Sequence, residues 1–440
     1  MRYKMTFLGL GVSNFAVLKN VFQDNPEDFF VSSATAIEPE KRDFLSQHSI
    51  AFEEGLHTQK LLDTERLMIS PSVNLDHEIY QEARKKGIDI KTDIELFLET
   101  KSPIYYLMAI TGTNGKTTTV ELIQHLLSLC HEAYAVGNIG YSPFELINQD
   151  LSHAVLIFEL SSFQIEHLQK NRQIFDLAGI TNIAQDHLDW HGGVHAYTQS
   201  KLSLLDCSKE AILPVEMKGY EAYRFGTSEG LNCSVNENTK QLILSLQGRY
   251  GVVDLSNITL IGIHNLKNIA LAALCCFHFG MDEKQIEKGL NTFAAGEHRL
   301  EPFLKFNGRL FVNDSKSTNA HSLISAIQSF QGPYKNIRLL AGAKDKGDDY
   351  TQLARVIFNG CKKVYLCGES AHRLNQSIPD SIEKQLFTSW HEAIQTCMKE
   401  SESGDVILFS PGGSSFDLFE NYKKRGEFFK EQVQSLVSLL

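Results

Sequence analysis

The decisive segment of this chain reads Ile110-Thr111-Gly112-Thr113-Asn114-Gly115-Lys116-Thr117-Thr118-Thr119. An apolar run that predicts a buried strand precedes it, and residues with helical spacing follow it at 120–127. A strand, a glycine-rich turn, Lys-Thr and a helix form the arrangement in which backbone N–H groups surround a phosphate. We therefore predict a phosphate-binding loop made of Gly112, Thr113, Asn114, Gly115, Lys116, Thr117 and Thr118.

Two side chains of this loop have specific predicted roles. Lys116 reaches the terminal phosphates of a nucleotide, and the hydroxyl of Thr117 holds Mg²⁺. The segment differs from the standard eight-residue pattern, because Ile110 stands where that pattern has glycine. An ordinary glycine turn is the alternative, although Gly-Lys-Thr lies where phosphate binding requires it.

Composition narrows the class of protein. The 440 residues suffice for about three domains of ~100–200 residues each. The chain is 42% hydrophobic and 22% charged, as expected for a soluble globular protein. Its net charge of −11 argues against a nucleic-acid or anionic-membrane surface. No membrane-length apolar run, no signal peptide and no CxxC spacing among the eight cysteines are found, so we predict a cytoplasmic protein with no membrane partner.

Strand-like runs alternate with helical segments along the whole chain. Before the loop, the run at 5–8 enters the turn Gly9-Leu10-Gly11, and further strands are predicted at 29–33 and 67–69. After the loop, strands are predicted at 154–158, 176–182, 310–312, 337–342, 364–368 and 406–409, with a β-rich part at 206–262 and a helix at 269–279. This alternation predicts an α/β fold with three domains, each built on a mostly parallel sheet, the central one resembling P-loop ATPases. The predicted boundaries are 1–103, 104–298 and 299–440.

Acidic and histidine side chains follow two of these strands. Ligands in parallel α/β sheets lie at the carboxyl ends of strands, so Glu159 is predicted to face the phosphate loop and to hold Mg²⁺. A solvent-exposed loop glutamate is the alternative. Asp186-His187-Leu188-Asp189 follows the next strand and suggests metal or phosphate chemistry, although a lone histidine is more often structural.

The ordered set of motifs resembles the Mur ligases, a family of ATP-dependent amide ligases of peptidoglycan synthesis. The matching segments span essentially the whole chain: Thr111–Thr118, Gly137-Asn138-Ile139-Gly140, Glu159-Leu160-Ser161-Ser162-Phe163-Gln164, Thr181-Asn182-Ile183, Asp186-His187-Leu188-Asp189, His264-Asn265 with Asn268, His298-Arg299 and Asn313-Asp314-Ser315-Lys316-Ser317-Thr318-Asn319. One short motif is weak evidence, whereas this order is specific.

Within the family, the chain is most similar to the branch that adds D-glutamate to UDP-N-acetylmuramoyl-L-alanine. The discriminating segments are 159–164, 313–319, 410–417 and Asn421-Tyr422-Lys423-Lys424-Arg425-Gly426. Departures from the family pattern also occur. Asn14 and Ser72 stand where glycine is usual, and Gly413-Ser414 replaces a Cys-Ala pair.

The resemblance implies an ATP-dependent carboxylate–amine ligase that forms an acyl phosphate and uses two Mg²⁺ sites. It implies Lys116, His187 and Lys201 as catalytic residues, and Thr117, Glu159, His187 and Lys201 as metal ligands, with Lys201 carbamylated. Sequence alone favours a helix-surface lysine at 201. Besides the loop, the implied ATP-binding residues are Asn268, Arg299 and Asp314. The implied substrate-binding residues are Ser13, Asn138, Ser161, Gln164, His187, Lys316, Thr318, Lys346, Ser415 and Tyr422.

The resemblance also assigns each domain a ligand. The first binds the nucleotide sugar UDP-N-acetylmuramoyl-L-alanine, the central one binds ATP, and the third binds the incoming amino acid. The segment Ala343-Lys344-Asp345-Lys346-Gly347 places a cationic lysine where an anionic side chain such as that of glutamate is suited. The D configuration rests on the resemblance alone. We expect a monomer with small-molecule partners and no nucleic acid.

Three alternative functions predict sequence features that this chain does not have. Folylpolyglutamate synthase shares the phosphate loop and central histidine but lacks a nucleotide-sugar domain, so the 103 residues before the loop argue against it. A non-catalytic nucleotide-binding regulator predicts loss of Glu159, His187 or Lys201, and all three are present. A kinase that stops at phosphoryl transfer does not need the basic residues of the third domain.

Overall fold

The computed structural model describes residues 2–438 apart from 23–24, 102, 169–173, 187, 237, 259, 261, 294–295, 331–334 and 346–348, and it describes only the backbone at 188 and 189. Within this part of the chain the strands form three sheets. Short 3-10 helices occur at Pro26–Asp28, Gln59–Leu62, Pro143–Leu146 and Leu205–Cys207.

The first sheet is parallel and has five strands among the described residues, in the order β3-β2-β1-β4-β5. Its central strands are apolar runs because both of their faces are covered. The elements of this part are β1 (Tyr3–Leu8), α1 (Val12–Val21), β2 (Phe29–Ser33), α2 (Pro39–Gln47), β3 (Ala51–Glu54), β4 (Thr64–Ile69), α3 (Glu78–Lys85), β5 (Asp89–Lys91) and α4 (Asp93–Thr100).

The second sheet has the described strand order β14-β13-β12-β11-β10-β9-β6-β8-β7. Its strands are parallel from β7 to β12, and β12, β13 and β14 pair antiparallel at one edge. The elements are β6 (Tyr106–Thr111), α5 (Lys116–Leu127), β7 (Glu132–Gly137), β8 (Ala154–Glu159), α6 (Ser162–His167), β9 (Phe175–Ile180), α7 (Leu188–His191), α8 (Val194–Leu202), β10 (Ser208–Pro214), β11 (Tyr223–Gly226), β12 (Cys233–Asn236), β13 (Gln241–Leu246), β14 (Arg249–Asp254), α9 (Ile263–Phe279) and α10 (Glu283–Thr292).

The third sheet has the described order β15-β16-β20-β17-β18-β19, with β15 antiparallel to β16 and the other pairs parallel. The carboxyl ends of β16, β20 and β17 are therefore neighbours at one edge. The elements are β15 (Glu301–Phe306), β16 (Arg309–Asn313), α11 (Ala320–Phe330), β17 (Ile337–Ala341), α12 (Thr351–Gly360), β18 (Cys361–Leu366), α13 (Ala371–Ser377), β19 (Glu383–Leu386), α14 (Trp390–Glu400), β20 (Val406–Phe409) and α15 (Tyr422–Val437).

The chain divides into two compact units. One consists of residues 1–255 and 268–290, and the other of 256–267 and 291–440. The first unit contains the first two sheets, and a single hydrophobic cluster joins them through residues such as Phe97 and Phe144, whose ring centroids lie 6.0 Å apart. The second unit contains the third sheet with apolar clusters on its two faces.

These sheets confirm the predicted α/β fold with three mostly parallel sheets. Every strand predicted from an apolar run is present, and the part at 206–262 is β-rich as predicted. Some strands that the sequence did not indicate are short and partly exposed, as in β3, where no residue is fully buried. A strand of this kind lacks the apolar signal because neighbouring strands, and not its own side chains, hold it in place.

Among the described residues, no helix is both long and apolar enough to cross a membrane.

Candidate active site

The phosphate loop has the backbone shape that its glycines predict. Gly112 and Gly115 both have positive φ angles, of +148° and +83°. A Cβ at Gly112 would overlap the Thr181 hydroxyl, and one at Gly115 would overlap the Asn268 amide. Both positions therefore require glycine for conformation and for space.

Thr181 and Asn182, which follow β9, hold this loop through hydrogen bonds. Thr113 donates its backbone N–H to the Asn182 carbonyl at 2.9 Å, and Asn114 donates to Asn182 Oδ1 at 3.2 Å. The Thr181 hydroxyl and the Asn182 amide both donate to the Asn114 carbonyl, at 2.6 and 2.8 Å. Hydrogen bonds within the protein thus define the shape of the loop, which lowers the ordering cost of binding.

Lys116 is the first residue of α5 and folds back over the loop. Its ammonium donates to the carbonyl oxygens of Gly112 and Thr113, each at 2.9 Å. Thr117, the next residue, is half-buried at the same helix N-terminus. The helix N-terminus and the ammonium together favour an anion at this point.

Glu159 ends β8 beside this loop, as predicted. Its residue pairs with Ile110 of the neighbouring strand, and it is only 2% exposed. Asn138 donates its side-chain amide to Glu159 Oε1 at 2.9 Å. In the described part of the chain, Glu159 Oε2 has no hydrogen-bond partner. A buried carboxylate oxygen without a partner is costly unless a ligand such as a cation satisfies it.

Lys201 lies on α8 and is buried, at 2% exposure. Its ammonium lies 4.8 Å from the centroid of the Tyr197 ring. Burial lowers the pKa of Lys201 well below its usual range, and the charge of Lys116 lowers it further, whereas Asp186 and Glu159 act in the opposite direction. The prediction of a helix-surface lysine, which the sequence alone favoured, is therefore wrong, because tertiary packing covers this face of α8.

Helix α8 is anchored to the segment that follows Glu159. Ser200 donates its hydroxyl to the Ser162 carbonyl at 2.8 Å, and the ring of His191, the last residue of the preceding α7, contacts the Ser162 hydroxyl at 2.9 Å. Tyr197 joins the same helix to the phosphate loop, because its hydroxyl lies 3.0 Å from that of Thr113. Lys201, Glu159 and the loop are thus fixed to one another.

His187 lies outside the described residues, as does Lys346. Among the residues that are described, no group of three or more histidine, cysteine or acidic side chains is arranged to hold a metal.

The predicted substrate residues of the first unit occupy different environments. Ser161 and Gln164 form a reciprocal capping box at the start of α6, with Gln164 N–H donating to Ser161 Oγ at 3.2 Å and Ser161 N–H to Gln164 Oε1 at 2.9 Å. Asn138 contacts Glu159, as described above. Ser13 lies in the first turn of α1, next to the exposed Gly11 and Val12.

The structure also shows the surroundings of Asn268 and of the predicted nucleotide-binding residues of the second unit, Arg299 and Asp314. Asn268 is buried beside Gly115 in the first unit. In the second unit, Arg299 is flanked by His298 and Leu300, which both have positive φ angles, and such backbone strain is concentrated at functional sites. Asp314 accepts hydrogen bonds from the Ser410 hydroxyl at 2.7 Å and from the Leu300 N–H at 3.1 Å, and burial raises its pKa to about 7.

The third sheet gathers the predicted amino-acid residues at its carboxyl edge. Lys316 and Thr318 follow β16, and Ser415 follows β20, the adjacent strand. Tyr422 begins α15, and the Lys316 ammonium lies 3.8 Å from the centroid of its ring. Sequence reasoning did not assign a role to Arg425, which lies one turn further along α15 and is 1% exposed.

Several residues that shape the site were not assigned roles from the sequence. Thr181 and Asn182 are only members of a motif in the sequence analysis, and Tyr197 has no assigned role there. Their contacts with the phosphate loop join positions about 70–84 residues apart. The capping box at 161–164 had a visible signal, since Ser followed three residues later by Gln is the pattern of a helix start.

Known protein families and individual proteins are similar to this chain over most of its length. Three family models match: the Mur ligase middle domain at residues 110–276, the MurD N-terminal domain at 4–79, and the Mur ligase, glutamate ligase domain at 298–413. The chain is 32% identical to the UDP-N-acetylmuramoylalanine–D-glutamate ligase of Thermosipho africanus, over 98% of this chain and 99% of the relative. It is 33% identical to the protein of that name from Thermotoga maritima, over 97% of both chains.

A solved structure supports the fold. The structure of MurF from Acinetobacter baumannii superimposes with a TM-score of 0.63 at 18% identity, covering 96% of this chain and 93% of that one. The predicted family is confirmed by these matches, which extend over nearly the whole chain. This protein belongs to the Mur ligase family.

Proposed function

We propose that this protein is an ATP-dependent ligase that adds D-glutamate to UDP-N-acetylmuramoyl-L-alanine through an acyl phosphate. The observation that carries the proposal is the juxtaposition of the phosphate loop, with Lys116 folded over it, and the buried Glu159, whose Oε2 has no hydrogen-bond partner among the described residues. Full-length similarity to two proteins named UDP-N-acetylmuramoylalanine–D-glutamate ligase supports the choice of substrates.

The reaction begins when a carboxylate oxygen of the nucleotide sugar attacks the terminal phosphorus of ATP, and the bond to ADP breaks. This converts a poor leaving group, an oxide, into phosphate. Phosphoryl transfer requires positioning and charge neutralisation more than covalent participation by the protein. Lys116 and the N-terminus of α5 supply positive charge where the transferred group develops negative charge.

The residues around the loop fit Mg²⁺. Glu159 Oε2 is a buried carboxylate oxygen with no hydrogen-bond partner in the described part of the chain, and Thr117 offers a hydroxyl in the first turn of α5. When bound, Mg²⁺ would neutralise phosphate charge and orient the terminal phosphate. Asn138 holds the Glu159 carboxylate in place through Oε1, which leaves Oε2 for the cation.

Lys201 is proposed to carry a carbamate that serves a second Mg²⁺. Carbamate formation requires a neutral amine, and burial with the neighbouring Lys116 lowers the pKa of Lys201 in that direction. The Lys201→Ala variant is expected to lose activity, and a small carboxylic acid is expected to restore part of it by replacing the carbamate. Full activity of the variant without the acid would remove Lys201 from the site.

In the second step, the amine of the amino acid attacks the acyl carbon, the nitrogen loses a proton, and phosphate leaves. The basic and hydroxyl side chains at the carboxyl edge of the third sheet support an amino acid with two carboxylates. Lys316, Thr318 and Ser415 are the described members of this set. We propose that residues 1–103, 104–298 and 299–440 bind the nucleotide sugar, ATP and the amino acid, respectively.

The test is phosphate release from ATP with UDP-N-acetylmuramoyl-L-alanine and a panel of D-glutamate, L-glutamate and a diamino acid. We expect release with D-glutamate that depends on all three substrates and on Mg²⁺. A preference for L-glutamate would defeat the stereochemical part of the proposal. A preference for the diamino acid, or release without an amino acid, would defeat the ligase assignment as stated.

A further inference from the structure

A buried arginine that has no role in the proposed reaction joins two loops of the third sheet. Arg425 lies in the first turn of α15 and is 1% exposed. Its Nε donates to the Ser315 hydroxyl at 3.1 Å, and its Nη2 donates to the carbonyl oxygens of Ser315 at 2.7 Å and Gly413 at 3.0 Å. A planar guanidinium can bridge acceptors in this way, whereas a lysine ammonium presents its donors from a single atom.

The bridged loops are those that carry the amino-acid residues. The β16–α11 loop comprises residues 314–319 and contains Lys316 and Thr318. The β20–α15 loop comprises residues 410–421 and contains Ser415. The two loops also meet directly, because Gly412 donates its N–H to the Ser317 carbonyl at 3.1 Å. Arg425 therefore contacts both loops from α15, and the Ser315 hydroxyl that accepts from it donates in turn to the Tyr422 carbonyl at 2.8 Å.

Few groups offset the buried positive charge of Arg425. No ion pair joins it to a carboxylate of the described residues, and its Nη1 has no hydrogen-bond partner among them. Burial lowers the pKa of Arg425 to about 10, although Asp417 and Asp314 act in the opposite direction. A buried charge with this little compensation reduces stability, so its presence calls for a reason other than stability.

The amino end of the same sheet offers a contrast. Arg338 is also buried there, but Asp405 accepts from its Nε at 2.5 Å and the Tyr365 hydroxyl accepts from its Nη1 at 2.8 Å. Direct pairing raises the pKa of Arg338 despite burial, which alone would lower it. The sheet can thus neutralise a buried arginine where only structure is required.

We infer that Arg425 is a positioning residue that sets the distance between the β16–α11 and β20–α15 loops, and thereby the binding geometry of the incoming dicarboxylic amino acid. The inference rests on the proposed function, since it assigns these loops to the amino-acid site. Arg425 acts through Ser315 and Gly413 on the residues that follow them, and it is not assigned a contact with substrate.

A matched control lies at the opposite edge of the sheet. Arg309 is buried at the start of β16 and donates its Nη1 to the Met398 carbonyl at 3.1 Å and to the Ser401 hydroxyl at 3.0 Å. It shares with Arg425 the combination of a carbonyl and a serine hydroxyl as acceptors. It lies away from the loops at the carboxyl edge.

The experiment compares Arg425→Lys with Arg309→Lys, and Ser315→Ala with Ser401→Ala. For Arg425→Lys we expect the KM for D-glutamate to rise about tenfold or more, while the KM values for ATP and the nucleotide sugar stay within about twofold. Ser315→Ala should shift the same KM by a smaller factor. The Arg309 and Ser401 variants should leave all three KM values within about twofold, even where they lower Tm.

Hydrogen–deuterium exchange supplies a readout that does not depend on activity. In the absence of substrates, the amides of residues 314–319 and 410–421 should exchange faster in Arg425→Lys than in wild type, and Arg309→Lys should leave them unchanged. If Arg425→Lys fails to fold, Ser315→Ala carries the test. Unchanged exchange in these loops, or an equal rise in all three KM values, would overturn the inference.

The outcomes also separate the inference from the proposed function. If the wild-type protein does not use D-glutamate, the proposed function fails. If the wild type uses D-glutamate but the Arg425 and Arg309 variants behave alike, only the role of Arg425 is overturned.

Discussion

Two glycine turns of the first unit connect a parallel strand to a helix, and their surroundings differ. The turn after β1 is open: a Cβ added at Gly11 would meet its nearest atom, Ser70 Oγ, at 3.9 Å. The turn after β6 is crowded, because a Cβ at Gly112 would overlap Thr181 and one at Gly115 would overlap Asn268. The second turn also carries Lys116, whereas the exposed residues Gly11 and Val12 begin the first helix.

The difference teaches that the same strand–turn–helix unit is specialised by what packs against it. At the phosphate loop, side chains from β9 and α9 restrict the backbone and leave its N–H groups in a defined arrangement. At the first turn, the Asn14 side chain donates to the carbonyl oxygens of Leu8 at 3.3 Å and Gly9 at 2.8 Å, and the Gly9 N–H donates to the Ser32 carbonyl at 2.7 Å. This difference supports our proposal that the crowded turn binds a compact phosphate and that the part of the chain with the open turn binds the larger nucleotide sugar.

The largest expected effect on activity comes from removing the ammonium group of Lys116, which distinguishes the second turn from the first. Lys116→Ala is expected to lower phosphate release by about three orders of magnitude, because a preorganised charge no longer meets the transferred phosphoryl group. The comparison variant is Lys19→Ala in α1, which removes an exposed ion pair with Glu145 and should retain activity. Circular dichroism should show both variants folded. Near-normal release by Lys116→Ala would contradict the assignment of the loop.

Two carboxylates near the carboxyl ends of strands, one in each sheet of the first unit, provide the next test. Glu159→Gln should lower turnover about 100-fold and raise the Mg²⁺ concentration for half-activation, without loss of stability, because Oε2 makes no hydrogen bond with a described residue. Glu53, at the end of β3, is fully engaged: Ser32 and Thr58 donate to it at 2.7–2.8 Å.

Glu53→Gln is therefore the control for Glu159→Gln. It should lower the unfolding free energy by about 1–2 kcal/mol and leave the Mg²⁺ requirement unchanged. Titration of activity against Mg²⁺ and denaturant unfolding measure the two effects. An unchanged Mg²⁺ requirement in Glu159→Gln would argue against Glu159 as a ligand.

Adding one methyl group to each turn tests whether crowding distinguishes the two turns. Gly112→Ala should cost about 2 kcal/mol of stability and weaken ATP binding, because φ is +148° and Thr181 occupies the space. Gly11→Ala should cost less than about 1 kcal/mol, because its φ is −70° and its surroundings are open. Thermal unfolding with and without ATP makes the measurement. Equal costs at the two positions would show that crowding does not distinguish the turns.

The smallest expected effect concerns Asn14, which stands where the family usually has glycine. Asn14→Ala removes two hydrogen bonds to the first turn and should lower the unfolding free energy by about 1 kcal/mol. Turnover at saturating substrates should stay within about twofold of wild type, because the site of phosphoryl transfer lies in the other turn. A large fall in turnover with an intact fold would show that the first turn takes part in the chemistry.

Much of the fold follows from local signals. Apolar runs such as Ala154–Phe158 and Val406–Phe409 predict buried parallel strands, and both are strands. Short edge strands such as β3 and β19 have no such signal, because pairing with a neighbour fixes them. Residue pattern alone also predicts the wrong exposure for Lys201, because a helix of low amphipathicity does not indicate which of its faces is buried.

The sequence by itself determined the phosphate loop, the alternation of strands and helices, and the charge available at each strand end. These depend on residue type and spacing over a few positions, as with Gly112, Gly115 and Lys116. Only the tertiary structure decided that Thr181 and Asn268 crowd the loop, that Lys201 is buried, and that Arg425 bridges two loops. The physical reason is that burial and electrostatic environment depend on segments distant in the chain, whose packing no local pattern encodes.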